Sequence, residues 1–538
     1  MITHWLLSIR MAGQIWRFTT NPLGASVFDG RRFEYYRFDA GLTDPQPTVS
    51  VSSVEGVEIP ISVLLSQKAW ETLAGLQDAG GLTCELALWR EGSDWSEREV
   101  WGDGRMDRPV FETVGDPLEF SLVEVAWEDR SQIPSPSQQV SAATWPVTAG
   151  VKLPDGMTGQ FYPYVFGAPG VVYATDTFTE CYGWPALLVE IDATTGDNFT
   201  GATSAKVLIA GHRTVGQAFT LYNRSTGLSA TVTASVEEDL LGQLVTVATV
   251  TAGDLQVTEG DELWLSCQDV NSGGIPAQSG ETLRGCGGLI RWMIEASTVR
   301  FDLSYLPLLS RLDAFKADFF VNTPKSAWGI INDVLISGAG HLLPCYWRRG
   351  SGGLYMAVKP WETASMLRAM PRVEINPALL GGSRDGPVTT SSSADLRTDL
   401  IALFGRDEQL GSTRRALVYA PIDTPGAIVN PYLTIRYASA KVRQKESIDL
   451  SAIQDPATVG TLLDILSRTV STTQRSVRYL VPPDDRIKVG GIASVTDSEI
   501  LWASVTCWIT SVLTTAEGDF WSVDVEELQD WFRTTGGA

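Results

Sequence analysis

Histidine is nearly absent from this chain: among 538 residues there are three, His4, His212 and His341. A His-x-x-x-His zinc pair cannot be assembled from them. His341 and Cys345 are four apart, but Pro344 breaks any helix that would bring them onto one face, and neither has a partner pair at metal-ligand spacing. Both are read as structural. His212, in AGHRTVG, falls at a turn and is not assigned as a base. No Gly-Lys dipeptide occurs, which removes the phosphate-cradling loop of nucleotide hydrolases, and no GxSxG elbow is present. No apolar run reaches the roughly 18 to 20 residues of a bilayer span. The opening MITHWLLSIRMAGQIW is interrupted by Arg10 and has no small-residue cleavage site, so neither a membrane span nor a secretory signal is expected. The six cysteines (Cys84, Cys181, Cys267, Cys286, Cys345 and Cys507) lie far apart with no CxxC pair. Buried, reduced thiols are the expectation, with a disulfide among them left open.

Basic charge is also scarce. Lys plus Arg is 41 against 63 for Asp plus Glu, a formal net charge of −22. A protein that grips nucleic acid by neutralising phosphates needs a local basic excess, which this balance argues against. The balance suits a protein kept soluble at high concentration, or one whose surface must not hold a polyanion. Carboxylates are plentiful, and a hydrolase could use two of them. The neighbouring pairs nevertheless read as surface charge. Asp484-Asp485 follows Pro482-Pro483 in a turn, Glu526-Glu527 ends a strand, and Glu237-Glu238-Asp239 reads as a solvated turn. The sequons at Asn198 and Asn223 occur at chance frequency. No catalytic, cofactor-binding or metal-binding residue is assigned, no cofactor is expected, and the chain is not expected to be an enzyme.

What is present is a β pattern. Hydrophobic residues make up 44% and the 18 tryptophans are scattered, as in a chain with several small cores. The length exceeds what one core supports, so three or four domains are expected. The stretch 474–531 is the clearest. Val477, Tyr479 and Val481 alternate with polar residues, as do Trp508, Thr510 and Val512, then Trp521, Val523 and Val525, the mark of half-buried antiparallel strands. Gly490-Gly491 and Gly518 supply its turns.

The rest divides by composition. Residues 1–130 combine strands with one helix: a hairpin turn at Asp29-Gly30, a strand over 54–65, and a helix capped by Ser66. Ala69, Trp70, Leu73 and Ala74 line one face of that helix, and Gly80-Gly81 ends it. CELALWREG, REVWGDGRM and PLEFSLVEVAW follow as strands. This order predicts a small α+β barrel. Residues 131–156 hold four prolines among Ser, Gln and Thr and read as an extended linker. GQFYPYVFGAPG (159–170) reads as a rigid aromatic loop or docking segment, with a ligand platform as the lesser reading. Residues 157–285 form a small β-sandwich or barrel, with strands at 219–222, 229–236, 244–250 and 263–266. Residues 286–375 form an α+β unit. Its helix starts at Asn322-Thr323-Pro324, shows Trp328, Ile331 and Leu335 on one face, and ends at Gly338 and Gly340. A hairpin around 350–353 follows. Residues 376–538 form the last unit. A long loop over 373–398 leads into strands at 399–405, 415–419 and 432–437. A helix near 456–468, capped by Asp455, shows Val459, Leu462, Leu463 and Leu466 on its apolar face. Strands, one helix, more strands: the last third repeats the order of the first.

That order carries a resemblance. The run SAKVRQKESIDL, DPATVGTLLDILSR, RSVRYLVP, KVGGIASVTD, CWITSV and GDFWSVDVEEL resembles the end of baseplate or tail-tip hub proteins of long-tailed bacteriophages and gene-transfer-agent-like particles. TPKSAWGIINDVLISGAG resembles the middle of such hubs, and GQFYPYVFGAPG a segment of tail-tip proteins that carry an inserted domain. Gly490-Gly491 departs from the Gly-Asp usual in the family. The resemblance covers about half the chain, mostly beyond 320, and implies a mainly β fold with a few helices. It implies two tail-tube-like β-barrels, at 1–130 and 376–538, plus an inserted β domain and a small α/β domain. It further implies a homotrimer in the virion, synthesised in the bacterial host cytoplasm. Such a trimer caps the tail tube, meets distal tail or tail-tube proteins, anchors fibre or tip proteins and lets DNA pass without specific binding. Two other functions fit the same residues: a host-surface carbohydrate-binding adhesin acting through 171–285, and a distal-tail ring subunit. A cell-wall hydrolase fits less well, for lack of a motif.

Overall fold

The computed structural model describes residues 3–19, 26–28, 31–35, 38–40, 58–76, 81–90, 93–110, 113–124, 131–145, 149–198, 205–276, 280–298, 310–331, 345–350, 353–358, 370–390, 396–471, 473–482, 484, 486–488, 490–513 and 520–528. They form a mainly β, multi-domain molecule with a few helices.

The first unit is a nine-stranded sheet. Its strands are β1 (Thr3–Met11), β2 (Gln14–Thr19), β3 (Ser26–Phe28), β4 (Arg31–Tyr35), β5 (Phe38–Ala40), β6 (Glu58–Leu64), β7 (Thr83–Arg90), β8 (Glu99–Val110) and β9 (Pro117–Glu124). They run in the order β3-β4-β2-β1-β7-β8-β9-β6-β5. Alternation along β1 sends Trp5, Leu7, Ile9 and Met11 into one core with Ile61, Val63, Leu86, Phe120 and Leu122. Helix α1 (Gln67–Ala74) lies on that face through Ala69 and Leu73. Ser66 caps it as expected, its hydroxyl accepting the Ala69 N–H at 3.3 Å. The helix ends at Gly75, earlier than the expected Gly80-Gly81, where the chain tightens and the Leu76 N–H closes onto the Leu73 carbonyl at 3.1 Å. The β3–β4 hairpin is present with Phe28 opposite Arg31, while Asp29 and Gly30 lie outside the described residues.

The second unit is a closed barrel. Its strands are β10 (Val151–Lys152), β12 (Trp184–Pro185), β13 (Leu187–Asp192), β14 (Ala205–Ala210), β15 (Ala218–Asn223), β16 (Leu228–Glu238), β17 (Leu244–Val250) and β18 (Leu263–Cys267), with β11 (Tyr164–Phe166) outside it. The order is β10-β13-β14-β17-β16-β15-β18-β12. β12 and β13 are one run of chain on either side of Ala186. Trp184 pairs with Leu265 on β18, and Leu187 pairs with Leu208 on β14, so this single strand joins the two ends of the sheet. Trp184, Leu188, Ile209, Phe219, Leu221, Val232 and Leu265 fill the interior, as side chains must in so small a barrel.

Segment 131–145 is packed, where an extended linker was expected. Ile133 reaches the central core, and Val140 and Trp145 join Tyr162 on the outward side of β13, β14 and β17, against Leu187, Val189, Leu208 and Val247. That cover leaves these strands buried on both faces, Val189, Leu208 and Val247 on the outer side and Leu188, Val207 and Ala248 on the inner one.

The centre of the molecule holds α2 (Cys286–Ala296), β19 (Phe319–Val321) paired with β11, and α3 (Ala327–Ile330). The cap of α3 is Ser326, accepting the Gly329 N–H at 2.9 Å, rather than Thr323. Trp328 and Ile331 are buried as expected, while Leu335, Gly338 and Gly340 lie outside the described residues. The hairpin of β20 (Cys345–Gly350) and β21 (Gly353–Val358) closes with Gly350 opposite Gly353.

The long loop expected over 373–398 contains β22 (Arg372–Ile375), α4 (Pro377–Leu380), β23 (Ser383–Arg384) and β24 (Thr389–Thr390). Val373 and Ile375 alternate with charged neighbours and enter a core, a short period-two signal inside a Gly/Ser-rich stretch. A four-stranded sheet follows, β25 (Asp399–Asp407), β26 (Ser412–Ala420), β27 (Ile428–Val429) and β28 (Lys445–Leu450), in the order β27-β26-β25-β28. The strand expected over 432–437 is helix α5 (Pro431–Ala440). Asn430 accepts the N–H groups of Tyr432 and Leu433 at 3.0 and 3.3 Å, and Pro431 occupies the first helical position.

Helix α6 (Pro456–Ser471) forms where expected, with Asp455 accepting the Thr458 N–H at 3.0 Å. It packs on α5, β25 and β26 and buries Val459, Leu462, Leu463 and Leu466 in the core that α2 and α3 also enter. It does not join the core of the terminal sheet, so the two ends of the chain share an order of elements without sharing a packing.

The terminal sheet contains β29 (Arg475–Val481), β30 (Ile492–Asp497), β31 (Trp502–Leu513) and β32 (Trp521–Glu527), in the order β22-β30-β31-β32-β29-β23 with β24 also on β29. Val477, Tyr479, Val481, Trp521, Val523 and Val525 share its core, as read. β31 differs. Ile509 faces Val525 and Val512 faces Val523, so Thr510 is an extra residue. The bulge shifts the phase: Cys507, Ile509 and Val512 carry the core, and Trp508 is buried outside that cluster. Gly490 has the expected positive φ, 78°, and Gly518 lies outside the described residues.

Candidate functional site

A dense polar cluster lies where the β12–β18 barrel, the segments flanking α2, and the β25–β26 hairpin converge. Gly167, at φ 65°, turns the chain against Ala317 and Asp318, where a Cβ would come within 2.3 Å of the Ala317 carbonyl oxygen. The turn aims the Ala168 N–H at Asp318 Oδ1, 2.8 Å away. Arg284 grips the same carboxylate with both arms, at 2.6 and 2.7 Å, and its Nη2 also donates to the Tyr173 hydroxyl at 3.1 Å. The Asp318 side chain is 0% exposed, so this carboxylate is buried only because the guanidinium is buried with it.

A second pair stands beside the first. Arg415, on β26, donates to Asp176 Oδ1 and Oδ2 at 2.8 and 2.5 Å, to the Val171 carbonyl at 2.9 Å and to Gln454 Oε1 at 2.6 Å. Gln454 Nε2 donates to the Arg406 carbonyl at 3.0 Å. The guanidinium lies between aromatic rings, 5.3 Å from the centroid of Tyr173 and 5.0 Å from that of Phe178. Arg414 completes the cluster, pairing with the fully buried Asp407 carboxylate at 2.9 Å and donating to the Glu180 carbonyl at 3.1 Å. Planar guanidinium groups suit this role, because several donors are held at fixed angles and the flat face stacks on a ring.

The electrostatics leave little reactivity. Burial pulls the Asp176 carboxyl upward, but hydrogen bonds from Arg415 and the Tyr173 N–H outweigh it and hold the group below its usual 3.8. Burial pushes the Tyr173 phenol and the Cys181 thiol up to about 12, and the Cys267 thiol well above its usual range. Thiols so displaced stay protonated at neutral pH and are poor nucleophiles. Among the described residues, no group of three or more His, Cys, Asp or Glu is placed to hold a metal ion. No helix among them is long and apolar enough to cross a membrane. What the cluster can do is mechanical: three segments distant in sequence are held in one register.

The residues singled out from the sequence do not converge. His212 Nε2 accepts the Val165 N–H at 3.1 Å while Nδ1 meets the Arg213 carbonyl at 2.9 Å, so the ring is a neutral strut, and burial holds its pKa below the usual 6.5. His4 stacks on Trp89. His341 and Asp485, and the side chain of Cys345, lie outside the described residues. Cys84, Cys181, Cys267, Cys286 and Cys507 are buried, in line with the expectation of buried thiols. Asp484 pairs with Arg486, and Glu527 with Arg475. Asp239 is not a solvated turn carboxylate. It is buried, accepts the Tyr162 hydroxyl at 3.1 Å and ties the Leu241 and Gln243 N–H groups, because the β16–β17 turn folds back onto segment 131–145. The Asn198 and Asn223 amides are buried donors to backbone carbonyls, unsuited to glycan attachment. Sequence reasoning missed the clamp. Its one local signal is Arg414-Arg415 within a half-buried strand; nothing local announces a partner 239 positions away.

No protein-family model and no curated protein matches the sequence. Solved structures do match. The tail protein from Neisseria meningitidis MC58 is similar at 8% identity, with 98% of each chain covered and a TM-score of 0.37. The 43 kDa tail protein of prophage MuSo2 from Shewanella oneidensis is similar at 9% identity, covering 98% of this chain and 99% of that one, with a TM-score of 0.30. A chain of the native gene transfer agent virion matches at 15% identity over 50% of this chain and 80% of its own, with a TM-score of 0.17. Two of these are tail proteins and the third is a virion component.

Proposed function

We propose that this chain is a structural protein of a phage-type tail, a baseplate or tail-tip hub located in the virion, and not an enzyme. The observation that carries the reading is the clamp. Among the described residues, Arg415 and Asp318 are the most heavily hydrogen-bonded buried charged groups and both fix one unit against another, while Cys181, Cys267 and His212 are held in unreactive states. An open curved sheet stands at each end of the chain, the nine-stranded one and the one running from β22 to β32. These are the candidates for two ring-forming units per subunit, so that three subunits present six to a tail tube. The barrel from β12 to β18 then reads as an insertion, and the unit around α2, α3 and α6 as the block that joins them.

In this reading the hub trimerises, caps the distal end of the tube, anchors fibre or tip proteins and lines the exit channel. The net charge of −22 suits a passage that DNA must cross without being held, because acidic walls give no counterion-release attraction. A map of the assembled ring with basic side chains around the lumen would remove the channel from the proposal.

Light scattering on the purified protein provides the test. The expected mass is three times 58.4 kDa, either alone or after addition of tail-tube or distal-tail protein. A chain that stays monomeric in both conditions and joins no tail-tip assembly overturns the hub.

A further inference from the structure

The outer face of the inserted barrel carries aromatic side chains that its core does not use. Leu263 and Leu265 of β18 point into the barrel, as do Phe219 and Leu221 of β15. Between them, Trp264 and Tyr222 are cross-strand partners in the opposite phase, directed outward. Tyr182 stands over the pair, its ring centroid 4.8 Å from that of Tyr222 and 6.3 Å from that of Trp264, both in edge-on geometry. Tyr222 is buried beneath, whereas Tyr182 and Trp264 remain half-buried. Each half-buried ring has a carboxylate fixed beside it: Trp264 Nε1 donates to Glu262 Oε1 at 2.9 Å, and the Tyr182 hydroxyl to Glu180 Oε2 at 2.9 Å. The Arg224 guanidinium lies 5.3 Å from the Tyr182 centroid.

From this arrangement we infer a glycan-binding platform formed by Trp264 and Tyr182, with Tyr222 as its floor. Rigid aromatic surface offers apolar area at low entropic cost, which suits the C–H face of a pyranose ring. A sugar also needs oriented polar partners at the rim. Glu262 and Glu180 each commit one oxygen to a ring polar atom and keep the other to accept from a sugar hydroxyl, while Arg224 supplies donors. The local charge is two carboxylates against one guanidinium, on a chain that is strongly acidic as a whole. Anionic polysaccharides are therefore disfavoured, and the ligand class is an uncharged hexose or N-acetylhexosamine chain.

The inference is independent of the hub. A trimer that binds no sugar leaves the hub standing, and a monomer that binds sugar leaves the platform standing. Saturation-transfer NMR and calorimetry on the full chain, with chitotetraose, cellotetraose and maltotetraose as neutral probes and polysialic acid as the anionic one, test it. Binding of at least one neutral probe in the millimolar range or tighter is expected, weakened about tenfold in Trp264→Ala and several-fold in Arg224→Met. Leu241→Ser, on the exposed β16–β17 turn, should bind as the wild type does, and far-ultraviolet dichroism should show all three variants folded. Absence of transfer to every neutral probe, undiminished binding by a folded Trp264→Ala variant, or preference for polysialic acid would each overturn the platform.

Discussion

Asp176 and Arg415 show how a single pair can govern a junction without catalysing anything. Their side chains are 6% and 5% exposed, so each is tolerable inside the protein only because the other is there. Replacing Arg415 by Met should cost about 3 to 5 kcal/mol in urea unfolding, because Asp176 is left charged and unpaired. Removing both partners, as Arg415→Met with Asp176→Leu, should cost less than the single change, and a double variant at least as unstable as Arg415→Met would refute the pairing argument. Acid gives a second handle. The Asp176 carboxyl lies below its usual 3.8 in the folded chain, so the pair contributes fully above that pH and its contribution fades as pH falls through the lowered value. Asp176→Asn should therefore be less stable than wild type at neutral pH, with the gap closing in strongly acidic solution. A gap independent of pH would assign the loss to packing instead.

Elements were legible in proportion to the periodicity they carry. β29 and β32 alternate cleanly, and α6 shows its apolar face and its Asp455 cap, so these were readable from one sequence. α5 reads as a strand because Tyr432, Thr434, Ile435 and Tyr437 are β-favouring residues. The Asn430-Pro431 cap, with its two side-chain bonds, decided the matter locally. Asn430→Ala should cost about 1 kcal/mol through the lost cap, read as a lower midpoint in thermal or urea unfolding. In β31 the obstacle is different, since a bulge at Thr510 cannot be seen from one strand alone: it exists only relative to β32. Gly167 is a position where conformation and space coincide. A Gly167→Ala variant has to hold φ near 65° and push its Cβ into the Ala317 carbonyl, so it should unfold at lower urea concentration than the wild type. An unchanged midpoint would show that the junction can give way.

At the scale of the molecule, the clamp predicts how the β12–β18 barrel behaves. Without Arg284 and Arg415, what remains of the junction is a set of apolar contacts and single hydrogen bonds. Small-angle scattering of an Arg284→Met, Arg415→Met double variant should show a larger radius of gyration than wild type. If the end sheets form the ring, the variant should still trimerise while its barrel moves. Loss of the trimer together with expansion would place the clamp in subunit assembly. The sheet edges bear on the same question. β3, β5 and β22 to β24 are short outermost strands, which limits backbone pairing between copies and puts most of any subunit contact on side chains.

The sequence by itself determined the β character, the helices at α1 and α6, the resemblance to tail hubs and the lack of a recognisable catalytic motif. All of these are local: period, cap, spacing and composition are written in neighbouring residues. Only the tertiary structure decided the closure of the barrel through β12 and β13, the packing of segment 131–145 on its wall, the place of α6 against the central sheet and the pairing of Arg415 with Asp176. Each depends on which surfaces meet across long stretches of chain. That choice rests on burial and charge compensation summed over the whole molecule, and no window of sequence contains it.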